Sequence, residues 1–549
     1  MASVRSHITV LIFALLSVII SAGCSSPVQP DNLEPTIGPF EATDITRTEA
    51  LITARIQLNG SAPLTHASFH YGEDGVFSQS VQVGDPGAQI LTCHLSGLRP
   101  GATYSWYVEA GTATATLRSA TMTFTTIPND RPSVSPLVAL STGPVGIIVS
   151  FDITDDGGEP VIEAGCEVRN NHTLETSRIC LPSDALSEGS HRVNIGGLSL
   201  ETSYTFTPFA SNTAGESQGE PLDYTTQNSI ILDEAGSLPK LFEGSKSVTL
   251  QSLTVTGDMN GDDFRFLRLL LGAPLLPGEL SVRSEVTEVD LTDANIVEGG
   301  ESYDGSRYTV ADEVTTGLFA DCVQLRRILL PVTATVMARD AFARCTALEE
   351  LTIPAAVGSV LPSDGCPALK VIDVSPANEA YTSVDGVLFN REATEILWFP
   401  LGKTGTFVLP STLTSIGESA FAGTSITGLE IPSSVTAISR GAFAESSLAE
   451  ITLPDNLTNI QESMFQYCAS LTTLHLGKGT EYVGNYFIDG TALTDLYVAA
   501  DIPPYAPSDA FVNGLLSVFE HCTLHVPAGR KAAYRNHARW GCFNRIVEF

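Results

Sequence analysis

The 549-residue chain is poor in positive charge: 29 Lys plus Arg stand against 62 Asp plus Glu, a formal net charge of −33. That imbalance excludes a phosphate-reading surface and electrostatic docking on anionic lipid, so no nucleic-acid partner is expected. Tryptophan is scarce as well. The three residues Trp106, Trp398 and Trp540 leave little for an aromatic platform that would hold sugar rings. The ten cysteines never fall as Cys-x-x-Cys, so no zinc quartet is expected. No Arg-Gly-Asp occurs, no Gly-rich phosphate loop comes after a strand-like run, and no Ser-His-Asp or Cys-His constellation can be assembled. The expectation is a chain that is not an enzyme, with no catalytic residue, metal or cofactor. His66 with His70 and His521 with His525 have helical ligand spacing, but they fall in or beside strand-like runs, where four residues span roughly 13 Å.

Long apolar runs are also missing beyond residue 20, so no transmembrane helix of ~20 residues is expected. The first residues read as a secretory signal over 1–23. Arg5 precedes an apolar run from Ile8 to Ile20, and "SAGC" then ends at Cys24. Ser21, Ala22 and Gly23 before Cys24 resemble a bacterial lipoprotein box. The resemblance implies cleavage before Cys24, lipid attachment to its sulfur, and an outer-membrane protein facing the cell exterior or the periplasm. Ser21 stands where the box has Leu, and ordinary cleavage with a free Cys24 is the alternative. Residues 24–35 are polar and Pro-bearing, a tether.

Short alternating runs with turn signals fill residues 36–127 and 131–226, the signature of two β-sandwiches. "LRPGATY" leads into Tyr104, and "LSLETSY" into Tyr204, with Leu200 where the frame has Pro. Both words resemble the tyrosine corner of fibronectin type III domains. Residues 227–247 read as a linker, and 248–307 as an N-terminal cap with the first rung of a repeat array. In "LTVTGDMNGDDFRFLRLL" a calcium loop at Asp258, Asn260 and Asp262 fails, since Leu269 stands where a bidentate Glu belongs. The expectation there is a turn at Asn260-Gly261 and a helix capped by Asp262.

Internal repetition dominates residues 308–515. "LEELTIP", "ITGLEIP" and "LAEITLP" share one template whose first position falls at Val286, Leu325, Leu348, Leu369, Thr404, Ile426, Leu448, Leu471 and Leu493, mostly 21 to 23 residues apart. Such a period with one short strand per unit is that of a leucine-rich-repeat solenoid. "YTSVDGVLFNREATEILWFP" reads as a hairpin inserted near 380–400, and residues 516–549 as a C-terminal cap. Phe319, Phe342, Phe421, Phe443, Phe465 and Phe487 align at one offset before the strands, an expected aromatic spine. "LTSIGESAFAGTSITGLEIPSSVTAISRGAF" closely resembles the BspA-type leucine-rich repeats of bacterial surface antigens. The expected fold class is mainly β: two fibronectin type III-like β-sandwiches followed by a leucine-rich-repeat solenoid with short helices on the convex side.

Cys322, Cys345, Cys366 and Cys468 occupy the place three after the spine residue, where other units have Thr424, Ser446 or Gly490. The expectation is buried packing rather than thiol chemistry, with disulfides between rungs as the alternative. Cys166 with Cys180, and Cys522 with Cys542, are candidate disulfides. The strand positions that project outward, Leu329, Thr352, Asp373, Glu430, Thr452, His475 and Tyr497, form the expected ligand-binding face. The family resemblance implies a protein ligand: adhesion to host extracellular-matrix or plasma proteins, or cell-cell contact. The alternatives are a glycan-binding accessory lipoprotein of a polysaccharide-utilisation system and a structural envelope spacer.

Overall fold

The computed structural model describes residues 35–549 apart from 114, 277–281, 405–406 and 515–516. The signal sequence, Cys24 and all of the tether but Pro35 therefore lie outside the described residues. Two compact units emerge, one running to Asp130 with Gly157–Glu159, the other comprising Arg131–Asp156 and Pro160–Phe549. Among the described residues no helix is long and apolar enough to cross a membrane.

The first unit is a sandwich of a three-stranded sheet (Thr36–Thr43, Ala50–Gln57, Ile90–Leu95) and a five-stranded sheet that includes His66–Glu73 and Thr103–Gly111. Alternation along each strand sends Ile52, Phe69, Leu91 and Trp106 inward, all at most 1% exposed. Cys93 belongs to this core as a small buried side chain. The Tyr104 hydroxyl accepts from Arg99 N at 2.8 Å, and Tyr204 in the second sandwich accepts from Ser199 N at 2.9 Å. Each corner is closed by a threonine 22 residues downstream. Thr126 Oγ1 donates to Arg99 O and accepts from Ala102 N, and Thr226 Oγ1 repeats this with Ser199 O and Thr202 N.

The second unit joins a sandwich to the solenoid through backbone pairing. Residues 227–247, expected as a linker, instead contain a strand, Ser229–Ile231, and a short helix, Leu238–Leu241. The strand pairs antiparallel with Val138–Thr142 of the sandwich and parallel with Ser252–Met259 of the solenoid. Leu238 and Leu241 are fully buried in a core that also holds Ile148 of the sandwich and Phe264 of the solenoid. Apolar side chains that no rung could bury alone thus seal the junction. The helix Gly261–Leu270 comes next. Its cap is Asn260, with Asp263 completing a capping box, rather than Asp262. Asp263 also accepts from Gly236 N and Leu238 N, so one buried carboxylate ties both helices together.

Most rungs then contribute a parallel strand, among them Arg327–Leu329, Glu350–Ile353, Val371–Val374, Glu450–Thr452, Thr473–Leu476, Asp495–Val498 and Thr523–Val526. A second, shorter ladder runs through Glu313–Val314, Val336–Met337 and Ser359–Val360, and again through Ser415–Ile416 and Ala437–Ile438. The inserted hairpin spans Tyr381–Val384 and Val387–Asn390. Asp385 and Gly386 form its turn with φ of 50° and 73°, the mirror-image turn that matches strand twist.

The convex side, where short helices are expected, is built from successive tight turns, with Ala320 N bonded to Gly317 O and Cys322 N to Phe319 O. A continuous helix is blocked because the residues two before and two after the spine position take positive φ, as at Asp340 (61°) and Arg344 (60°) around Phe342. The rings stack as a spine: Phe319 on Phe342 at 5.2 Å, and Phe421, Phe443 and Phe465 at 5.4 and 5.5 Å. Phe399 joins at 5.0 Å from Phe421, five residues before its template position Thr404 as Phe421 is before Ile426. Ser363 replaces the ring in one rung and accepts from Phe342 N at 3.1 Å.

Phe487 departs from its expected place. Phe443 N bonds to Met464 O, the residue before the next spine Phe, and Phe465 N bonds to Phe487 O in the same way. The spine residue of that rung is therefore Ile488, and Phe487 turns to pack edge-on against Phe511 at 5.8 Å. The residue three after the spine is accordingly Thr491, not Gly490, and its hydroxyl donates to Ile488 O at 2.8 Å.

Candidate ligand-binding face

Parallel register places one outward side chain per strand in a row. Leu329 lies beside Thr352, and Thr352 beside Asp373. In the C-terminal half Thr452 lies beside His475, His475 beside Tyr497, and Tyr497 beside His525. The buried residues on either side, such as Ile451 and Leu453 or Leu496 and Val498, hold each strand by its inner face. The outward positions therefore stand on a stiff support. Val408 belongs to the same row by its template "FVLP" and is 85% exposed. Glu430 is also exposed but sits on no paired strand.

At the C-terminal half the row becomes aromatic. His475 stacks on Tyr497 at 4.2 Å and Tyr497 on His525 at 4.0 Å, both within 9° of parallel, and Phe549 meets Tyr497 edge-on at 5.5 Å. In-register rungs, spaced at ~4.8 Å, bring planar side chains face to face without further design. Two carboxylates hold the ends of the stack. Asp495 Oδ1 lies 2.8 Å from His525 Nε2, and Glu450 Oε1 lies 3.7 Å from His475 Nε2. The hydrogen bond from His525 holds the Asp495 carboxyl below the ordinary carboxylate range. Partial burial keeps the His475 ring below the usual imidazole range, against the pull of Glu450. His525 repeats the pattern of His475, apolar-His-apolar, in "LHV" after "LHL", which is the sequence signal for its membership.

The cysteines have a polar task. Cys345 Sγ donates to Phe319 O at 2.9 Å, Cys366 to Phe342 O at 3.2 Å, and Cys468 to Phe443 O at 2.9 Å. Thr424 and Thr491 place a hydroxyl at the same point of their rungs. Each of these buried carbonyls also accepts the N–H three residues further on, as Phe319 O does from Cys322 N, so the short side chain supplies a second donor to an oxygen with two lone pairs. Burial pushes the Cys322 and Cys366 thiols up to about 12, so neither offers a thiolate at physiological pH. All described cysteines are free. Cys166 opposes Ile179 and Cys180 opposes Gly165, so adjacent register sends the two sulfurs to opposite faces of their hairpin. In the cap Cys522 is buried and Cys542 is exposed, each sulfur pointing to a backbone carbonyl.

Residues 310–366 and 399–514 match the family model described as BspA type Leucine rich repeat region, in six copies. Among solved structures the chain is similar to the pneumococcal vaccine antigen PcpA, at 16% identity over 59% of this chain and 87% of that one, with a TM-score of 0.35. It is also similar to a leucine-rich repeat protein from Eubacterium ventriosum, at 20% identity over 50% and 80%, TM-score 0.32. A two-domain fibronectin type III segment of chicken tenascin matches 35% of this chain and 98% of its own, at 14% identity and a TM-score of 0.20. No curated protein matches.

Proposed function

We propose, on the premise that the solenoid is an array of BspA-type leucine-rich repeats, that the chain is a non-catalytic cell-surface lipoprotein whose repeat domain binds a protein ligand. One observation carries the reading: a row of outward side chains, ending in the His475, Tyr497 and His525 stack, is fixed in register on a sheet whose other face is buried. Rigid aromatic groups of this kind are favoured anchors of protein interfaces, because little side-chain entropy is left to lose. The ring faces are turned against one another, so a sugar ring finds edges rather than a flat platform. That geometry favours a protein over a glycan. Lipid attachment at Cys24 would place the array at the outer membrane, and the ligands that fit are host matrix or plasma proteins, or a protein on a neighbouring cell.

Protease shaving of intact cells tests exposure, with release of repeat-domain peptides expected. A chain released only after lysis would overturn surface exposure. Binding of the full mature chain to matrix and plasma proteins, run beside a glycan array, tests the ligand class. Glycan binding without protein binding would reverse the assignment, and no binding in either would leave a spacer.

A further inference from the structure

The parallel sheet is interrupted at one place. Among the described residues, neither Phe407–Leu409 nor Leu429–Ile431 makes a backbone hydrogen bond to a neighbouring strand, although both match the strand template. The second segment is held only at its start, where Ala449 N donates to Thr427 O at 3.1 Å. Clefts of about 620 and 760 Å³ open on its two sides. The opposite side of the same rungs is closed. Phe399, Phe421 and Phe443 stack there at 5.0 and 5.4 Å, and Ser415–Ile416 pairs with Ala437–Ile438. The rungs thus fan apart on the sheet face while the spine holds them together, and the short ladder also lapses between Ala437–Ile438 and Asn459–Ile460. Gly428 occupies the strand position that Glu450 holds in the next rung, and glycine adds neither strand propensity nor a side chain to pack.

The fan exposes one strand edge. Thr473 N donates to Ala449 O and Leu453 N to His475 O, so alternate residues of Glu450–Thr452 are committed to the neighbour on the C-terminal side. In a parallel ladder the remaining groups, the N–H and C=O of Glu450 and Thr452, point the other way, into the larger cleft. The strand Val371–Val374, on the far side of the gap, is covered by the hairpin, since Ile372 N donates to Gly386 O at 2.9 Å. Among the described residues no such cover protects Glu450–Thr452.

We propose that this cleft takes an extended, basic and apolar segment of a partner protein by strand addition to the free edge of Glu450–Thr452. Unpaired backbone donors and acceptors in a row are met by another strand and by little else. The half-buried Leu429 and Ile431 and the exposed Val408 line the clefts with apolar surface. The charged groups lining them are Glu430 and Glu450, with no Lys, Arg or His among the lining residues. Lysine or arginine on the incoming strand is therefore matched, whereas a second copy of a chain carrying −33 is repelled. The inference deepens the protein-binding reading and rests on it only for the class of partner.

Site-resolved hydrogen exchange of the full mature chain tests the edge without any ligand. The Glu450 and Thr452 amides are expected to exchange at least about tenfold faster than those of Ile451 and Leu453. Equal protection would overturn the proposal while leaving surface adhesion untouched. The binding probe is an octapeptide of alternating valine and lysine, expected to protect these two amides, with an alternating valine and glutamate peptide expected not to bind. Thr452→Pro removes an edge donor, and Glu450→Lys reverses the charge without touching the backbone. Each is expected to weaken the lysine peptide about tenfold or more, with the melting temperature confirming the fold. Binding equal to wild type in both variants, equal binding of the two peptides, or protection through self-association at high concentration would each overturn it.

Discussion

Cys345 Sγ lies 2.9 Å from the backbone carbonyl oxygen of Phe319, one rung earlier, and both residues are fully buried. Replacing the thiol with a hydroxyl keeps a donor, so Cys345→Ser is expected to lower stability modestly. Cys345→Val removes the second donor from a carbonyl that keeps its bond from Cys322 N, and is expected to cost about 0.5–1.5 kcal/mol. Urea denaturation separates the two, and ligand affinity is expected to stay unchanged in both.

The spine supplies the largest packing term on the convex side. Phe421 is 0% exposed and lies between Phe399 and Phe443. Phe421→Ala is expected to cost about 3–5 kcal/mol, lost transfer energy plus a cavity that rigid rungs close poorly. A midpoint within experimental error of wild type would show that the rungs collapse onto the gap.

Positive φ at the second residue after the spine is met by glycine in some rungs, as at Gly423, and by bulky residues in others, as at Glu445 with φ of 60°. Glu445 is exposed and has no packing to lose. Glu445→Gly is therefore expected to raise stability by up to about 1 kcal/mol, since it relieves left-handed strain at a site already fixed in that conformation. Thermal unfolding checks the sign.

The His475 and Asp495 shifts divide acid sensitivity into two windows. A ring whose folded value is depressed binds its proton less readily than the unfolded chain. Its contribution is whole above the ordinary value of 6.5 and falls as pH drops through it. Asp495 is a carboxyl held low, so its contribution is present above 3.8 and lost as pH falls through the folded value. His475→Gln is expected to flatten the upper window and leave the lower one. Urea midpoints across the acid range, compared with wild type, report both.

Tyr497 is stacked on both sides by histidines and touched edge-on by Phe549. Tyr497→Ala is expected to weaken a protein ligand by about 1–2 kcal/mol or more, as for a central aromatic anchor. Leu329→Ala, at the other end of the array, is expected to change it little. The reverse ranking, read by surface plasmon resonance, would move the contact to the N-terminal half.

The elements were largely legible because solenoid periodicity is local. The template from Leu325 to Leu493 marks each strand, and Tyr104 and Tyr204 mark each sandwich. Three particulars escaped that reading. Phe487 and Ile488 are adjacent apolar residues, and only the hydrogen bond from Phe465 N to Phe487 O sets which one enters the spine. Phe399 stands at the regular offset, five residues before Thr404, but falls inside the run that reads as a hairpin. Residues 227–247 are too short and mixed in pattern to declare a strand and a helix, which form because both neighbours offer edges and apolar faces. Of the binding face, the outward positions come from alternation. The stack at Tyr497 and the gap at Glu430 do not.

The amino-acid sequence by itself determined the repeat, the two tyrosine corners, the buried positions and the acidic surface. These depend on period, residue type and charge along the chain. Tertiary structure alone decided which side chains meet across rungs. It made a His-Tyr-His stack out of residues 22 and 28 apart, sent Cys166 and Cys180 to opposite faces, and left the edge of Glu450–Thr452 without a partner. The reason is register: a contact between rungs depends on where each strand lies relative to its neighbour, and a shift of one residue turns every side chain to the other face.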